Sequence, residues 1–182
     1  SQLIDWPLEH VVKCLVFYHP DDPAALRAEQ DALLLEVWQA CNKSGHELLL
    51  EVILPENGPD KDERHYHTML EHFYQLGIKP DWWKLPPLSS ASWEKIAGLI
   101  AREDPWCRGI LLLGLDAPSD RLRAGFAEAA GHPIIKGFAV GRTIFGQPSR
   151  RWMAGELSDE ALIGEVKQNY LRLIDYWREA RG

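Results

Sequence analysis

Cysteine is scarce in these 182 residues. Cys14, Cys41 and Cys107 are odd in number and widely spaced. That count supplies neither a disulfide framework nor the paired thiols of a zinc site, and fits reduced, buried structural thiols. Basic runs are missing as well, and the net charge is −7. Both observations argue against a nucleic-acid partner, although an acidic protein can still carry a local pocket for a small anion. No apolar stretch reaches the length of a membrane span and no signal peptide opens the chain, so a cytoplasmic location without a membrane role is expected. Walker, dinucleotide-binding and Gly-x-Ser-x-Gly patterns are all absent. His65, His67 and His72 fall on one expected helix without a carboxylate frame and read as a solvated face, so no metal is expected.

What is present is a large apolar fraction, 46%, with eight tryptophans. One globular domain over residues 1–182 is the natural outcome. Five apolar runs, centred near Val16, Leu50, Trp83, Leu112 and Val140, alternate with five segments of helical character. This is the rhythm of βα units around a parallel sheet, and it predicts an α/β fold. Helices are expected over Pro23–Lys43, after the polar loop Glu56–Glu63 as far as Gly77, over Ser89–Arg102 and Ser119–Ala130, and from the Ser158 cap to Arg181. The spacing matches a (β/α)₈ TIM barrel, which typically needs about 250 residues. Five units are too few to close one. The chain is therefore either an open doubly wound sheet or about the last five βα units of a barrel.

Three charges interrupt the first three apolar runs: Lys13, Glu51 and Lys84. In βα proteins of this kind chemistry collects at the C-terminal ends of the strands, where Glu51 and Lys84 are expected, with Lys13 nearer mid-strand. A structural ion pair explains any one of them alone. Together they form the sort of cluster that prepares a lysine for attack on a carbonyl, since desolvation and a neighbouring cation both disfavour the charged amine. A second constellation follows the fifth run. Gly137 and Gly141 permit close backbone approach, Arg142 offers a fork of donors suited to phosphate, and Gly114 at the end of the fourth run leaves room for the same ligand. His19, in His19-Pro20-Asp21-Asp22, follows the first strand and either lines the mouth of the site or caps its loop.

The ordered segments Val-Lys-Cys-Leu-Val-Phe-Tyr-His-Pro-Asp-Asp, Leu-Leu-Glu-Val, Trp-Trp-Lys-Leu-Pro and Gly-Phe-Ala-Val-Gly-Arg-Thr resemble the Schiff-base aldolases of the tagatose-bisphosphate aldolase type. They are closer still to the aldolase-like domain fused behind the sugar kinase 5-dehydro-2-deoxygluconokinase of myo-inositol catabolism. The resemblance covers nearly the whole chain in order. It implies Lys84 as the imine-forming lysine, Glu51 as the proton-moving carboxylate, Lys13 as its strand-borne cationic neighbour, and Gly141 with Arg142 as the phosphate loop. The implied reaction is carbon–carbon cleavage of 5-dehydro-2-deoxygluconate 6-phosphate to dihydroxyacetone phosphate and malonate semialdehyde, without cofactor or metal. The expected ligand is a small phosphorylated sugar acid or ketose. A homo-oligomer or a covalent fusion to a sugar kinase is the expected setting. Family strands one to three, with an acidic group on the first, have no counterpart here, so the isolated chain is expected to be inactive. The alternative is a non-catalytic sugar-phosphate binding or regulatory module fused to a carbohydrate kinase.

Overall fold

The computed structural model describes residues 2–182. After a short 3-10 helix at Gln2–Asp5, strands and helices alternate: β1 (Val12–Phe17), α1 (Ala24–Ser44), β2 (Leu48–Ile53), α2 (Arg64–Gln75), β3 (Trp82–Leu85), α3 (Ser90–Glu103), β4 (Gly109–Leu112), α4 (Ser119–Ala130), β5 (Ile135–Phe138), α5 (Arg142–Met153) and α6 (Asp159–Arg181). The five strands make one sheet in the order β1-β2-β3-β4-β5. It is an α/β fold of parallel strands alternating with helices, as the periodicity predicts. Two compact units are distinguishable, residues 1–85 with 91–110, and residues 86–90 with 111–182.

In the first unit the strands follow the two-residue period of a sheet with one covered face. Leu50, Val52, Trp83 and Leu85 are fully buried. Trp83 lies against Phe73 and Tyr74 of α2 and donates its indole N–H to the Tyr74 hydroxyl at 2.8 Å. The intervening residues, Lys13, Leu15 and Phe17 on β1, Glu51 on β2 and Lys84 on β3, therefore face the other way. α1 ends at Gly45, whose φ of 78° is the left-handed conformation that closes many helices. Asp81 ties strand entries together, its carboxylate accepting the Leu48 amide at 2.9 Å and its carbonyl the Arg108 amide at 2.8 Å.

In the second unit α4 and α5 pack on α6. Phe126 of α4 lies between Phe138 of β5 and Trp177 of α6. Ser158 caps α6, its hydroxyl accepting the Ala161 amide at 3.3 Å. Two expectations need correction. The fifth strand is centred near Lys136 rather than Val140, and Val140 and Gly141 belong to the connection into α5. The second correction is α5 itself, a long helix that the five expected helical segments do not include and that holds Gly146 and Pro148 in its interior. Proline removes the N–H that would reach the carbonyl four residues back. That carbonyl belongs to Ile144, and the Asn169 side-chain amide of α6 donates to it instead at 2.8 Å.

Candidate active site

Strand register assembles the three charges. Leu15 on β1 pairs with Glu51 on β2, and Glu51 with Lys84 on β3, while Lys13 lies two residues before Leu15 on the same face. Lys13 sits at the second position of β1, nearer the strand's start than its middle. Its length bridges the difference, since a lysine stem reaches along the sheet. The Glu51 Oε2 accepts from both lysines, from the Lys13 Nζ at 2.7 Å and the Lys84 Nζ at 3.2 Å. Glu51 is 8% exposed at its side chain and Lys84 17%, against 47% for Lys13. Two lysines thus share one carboxylate, Lys84 on its largely dry side and Lys13 on its wetter side, and one positive charge in the cluster remains unbalanced. A low-dielectric setting makes such an imbalance matter more than it would in water.

The glycines and arginine of the expected phosphate loop all lie in the second unit, in different roles. A Cβ on Gly114 would come within 2.8 Å of the Val140 side chain and 3.3 Å of the Thr143 hydroxyl, so the close approach there is real. Gly141 caps α5 and Arg142 opens it. Gly137 has no protein atom within 4 Å of where its Cβ would stand, so packing does not demand glycine there. Gly114 and Arg142 open onto neighbouring concavities that share Asp116 at the rim. Gly114 lines one of about 380 Å³ with Pro86, Pro87 and Arg121; Arg142 lines one of about 320 Å³ with Arg150 and Arg172. Leu115 and Asp116, between them, have φ of 47° and 61°, two successive non-glycine residues in the left-handed region. Such strain tends to collect at binding sites.

His19 at the end of β1 is fully buried. Its Nδ1 accepts the Asp21 amide at 3.1 Å, while its Nε2 has no hydrogen-bond partner and stands 3.7 Å from the Asp60 Oδ1. The same Asp60 oxygen pairs with the His65 Nε2 at 2.6 Å, and the two imidazoles are 4.5 Å apart. Backbone donation from Asp62, with help from His65, holds the Asp60 carboxyl below its usual range. Next to it, Arg64 brings Asp62 down to about 2. Ligand atoms of His19, Asp21 and His65 lie within 4.8 Å of one another, close enough to suggest a metal. The hydrogen-bond polarity contradicts it. A neutral His19 that accepts at Nδ1 carries its proton on Nε2, whereas a metal-bound histidine keeps one nitrogen free for the metal and donates the other N–H. The group is a hydrogen-bonded cluster that fixes the loops after β1 and β2.

This also corrects the reading of the α2 histidines as a solvated face. His65 is engaged by Asp60, and the His72 Nε2 meets the Asp31 Oδ2 at 2.9 Å beside the Tyr18 ring. Tyr18 donates its hydroxyl to Asp31 at 3.1 Å, and burial together with that carboxylate pushes its phenol well above the usual range. Of the cysteines, Cys41 is buried and Cys14 and Cys107 half-buried; burial raises both Cys14 and Cys41.

Residues 1–181 match the family described as "Uncharacterized protein conserved in bacteria (DUF2090)". The chain belongs to that family. No curated protein matches it significantly. No helix among the described residues is long and apolar enough to cross a membrane. The family's description names no chemistry, which leaves the arrangement of side chains to carry any functional conclusion. Sequence reasoning found the Lys13, Glu51 and Lys84 set but missed Arg150 and Arg172, whose relation to Arg142 appears only once α5 is a helix packed on α6. The His19 cluster had a visible signal in the His-Pro-Asp-Asp turn after the first strand. Its partner His65, 46 positions later, had none.

Proposed function

We propose that this chain carries the imine-forming site of a class I aldolase that cleaves 5-dehydro-2-deoxygluconate 6-phosphate to dihydroxyacetone phosphate and malonate semialdehyde. The observation that carries the proposal is the single Glu51 oxygen shared between Lys13 and Lys84. Lys84 is the nucleophile. It is the less exposed lysine, it stands in the second half of its strand, and the Glu51 carboxylate lies within reach of its ammonium to take a proton. The neutral amine adds to the substrate ketone, and loss of water from the carbinolamine gives an iminium. That cation accepts the electron pair of the breaking carbon–carbon bond as the aldehyde product departs. Protonation of the resulting enamine and hydrolysis then return the lysine. Glu51 moves protons in the addition and dehydration steps, and Lys13 keeps a positive charge on the far side of Glu51 throughout.

In this proposal the sheet belongs to a (β/α)₈ barrel, completed by further βα units from a fused sugar kinase protein or from a second chain. A non-catalytic sugar-phosphate module would need the Gly141 and Arg142 loop but no lysine beside a buried carboxylate, so the shared Glu51 oxygen weighs for catalysis. Borohydride reduction of the native full-length protein in the presence of dihydroxyacetone phosphate tests the assignment. Mass spectrometry should find the reduced adduct on Lys84 and lose it in Lys84→Met. A label on Lys13, or none at all, overturns it.

A further inference from the structure

We infer that Arg142, Arg150 and Arg172 form a binding site for a phosphate dianion, free or as a small monoester, on the second unit. Arg142, Arg150 and Arg172 line one concavity of about 320 Å³, two from α5 and one from α6. None of their guanidinium groups makes a hydrogen bond or an ion pair among the described residues, whereas Arg64, Arg102, Arg108, Arg123 and Arg151 all pair with carboxylates. In a chain of net charge −7, carboxylates are plentiful. Three unpaired arginines converging on one hollow are therefore not a consequence of a basic surface. Asp116 is the one carboxylate lining the concavity among the described residues. Three positive charges against one negative leave two, which matches the charge of a phosphate near neutral pH.

Geometry supports the same ligand. Arg142 and Arg150 are eight residues apart on α5, about two helical turns, and so project from nearby faces. Between them lies Gly146, where a Cβ would stand 3.6 Å from an Arg150 guanidinium nitrogen, 3.6 Å from the Arg142 Cβ and 3.9 Å from the Asp116 Oδ1. The backbone there is bare, with the Arg150 guanidinium and the Asp116 carboxylate beside it. Asn169, pinned by its bond to the Ile144 carbonyl, fixes α6 against α5 and with it the place of Arg172 one turn further along. Guanidinium forks bind phosphate oxygens with directional, charge-assisted hydrogen bonds, and three forks around one hollow suit three terminal oxygens. The site extends beyond the Gly141 and Arg142 loop of the aldolase proposal and does not depend on Lys84.

Isothermal titration of the protein in chloride buffer with inorganic phosphate, and separately with glycerol phosphate, tests it. Binding by either is expected, and the stronger of the two identifies whether the free ion or the ester is preferred. Arg150→Ala and Arg172→Ala should each weaken that binding about tenfold or more. Arg123→Ala, which breaks an exposed pair with Glu179 and a contact over the Tyr176 ring on the same unit, should leave it unchanged. All three arginines stand on exposed helix surface, and circular dichroism of each variant verifies that it is folded. Absence of binding by both ligands, unchanged affinity in the Arg150 and Arg172 variants, or an equal loss in Arg123→Ala overturns the site. Imine trapping at Lys84 with an unphosphorylated ketone reads the aldolase proposal separately, so either can fail alone.

Discussion

Glu51 is the residue whose loss should be felt most widely in the first unit. Its carboxylate pairs with two lysines on one sheet face, and its side chain is almost dry. Removing one member of a buried charge group leaves the others unpaired, at a cost of about 3–5 kcal/mol when all are fully buried. Lys13 is nearly half exposed, so water recovers part of that loss and about 2–4 kcal/mol is expected for Glu51→Ala. The comparison that separates chemistry from architecture is Lys84→Met. It removes one of two cations from a carboxylate still held by Lys13, and it should destabilise less than Glu51→Ala while abolishing imine formation. Urea unfolding of the two variants measures the difference. Equal and small losses would mean that the three charges sit side by side without depending on one another.

At the scale of single elements, two helical glycines make opposite predictions from the same substitution. In an exposed helix interior glycine is worse than alanine by about 1 kcal/mol. Gly98 in α3 has no atom within 4 Å of its would-be Cβ, so Gly98→Ala should stabilise by about 0.5–1 kcal/mol. Gly125 in α4 is different. A Cβ there would lie 2.4 Å from the Pro87 Cβ and 2.8 Å from its Cγ, and a proline ring cannot swing aside. Gly125→Ala should therefore destabilise by about 1–3 kcal/mol despite the better helix propensity. Thermal melts of both variants decide the matter, and a stabilised Gly125→Ala would show that helix and loop separate without cost. The two positions also show what the sequence could not reveal. Leu122, Phe126 and Ala129 mark the buried stripe of α4 by spacing alone, as Trp93, Ile96 and Ile100 do for α3. Which glycine is packed against a loop depends on a contact 38 positions away. The same limit hid α5, where Pro148 argues for a break until Asn169 supplies the missing donor. Period-two alternation, by contrast, made Lys13, Glu51 and Lys84 legible as intrusions, because a charge in a short apolar run stands out without any knowledge of its partners.

For the whole molecule, the exposed edge of the sheet is the feature most open to test. β1 and β5 end the strand order, and each has one neighbour. On β1 the face that carries Lys13 also shows Leu15 at 38% and Phe17 at 52% exposure. An edge strand with apolar side chains is a template for pairing with another chain. One end of this edge is blunted, where the Gln30 side-chain amide donates to the Phe17 carbonyl at 2.8 Å. Lys13 adds little protection, since its ammonium is drawn toward Glu51 and away from the edge. Association through β1 is therefore expected for the 182-residue chain on its own, rising with concentration in sedimentation velocity. Phe17→Lys should shift the distribution toward monomer, because it places a charge where a partner strand would have to cover it, while leaving the helix-packed face with Val16 intact. The change adds no buried group and should alter thermal stability little. A chain that stays monomeric at every concentration, with Phe17→Lys behaving identically, would show that the β1 edge is tolerated in water and that no further strands are required beside it. The barrel assignment would then lose its main physical motive, while imine trapping at Lys84 would still stand or fall by its own result.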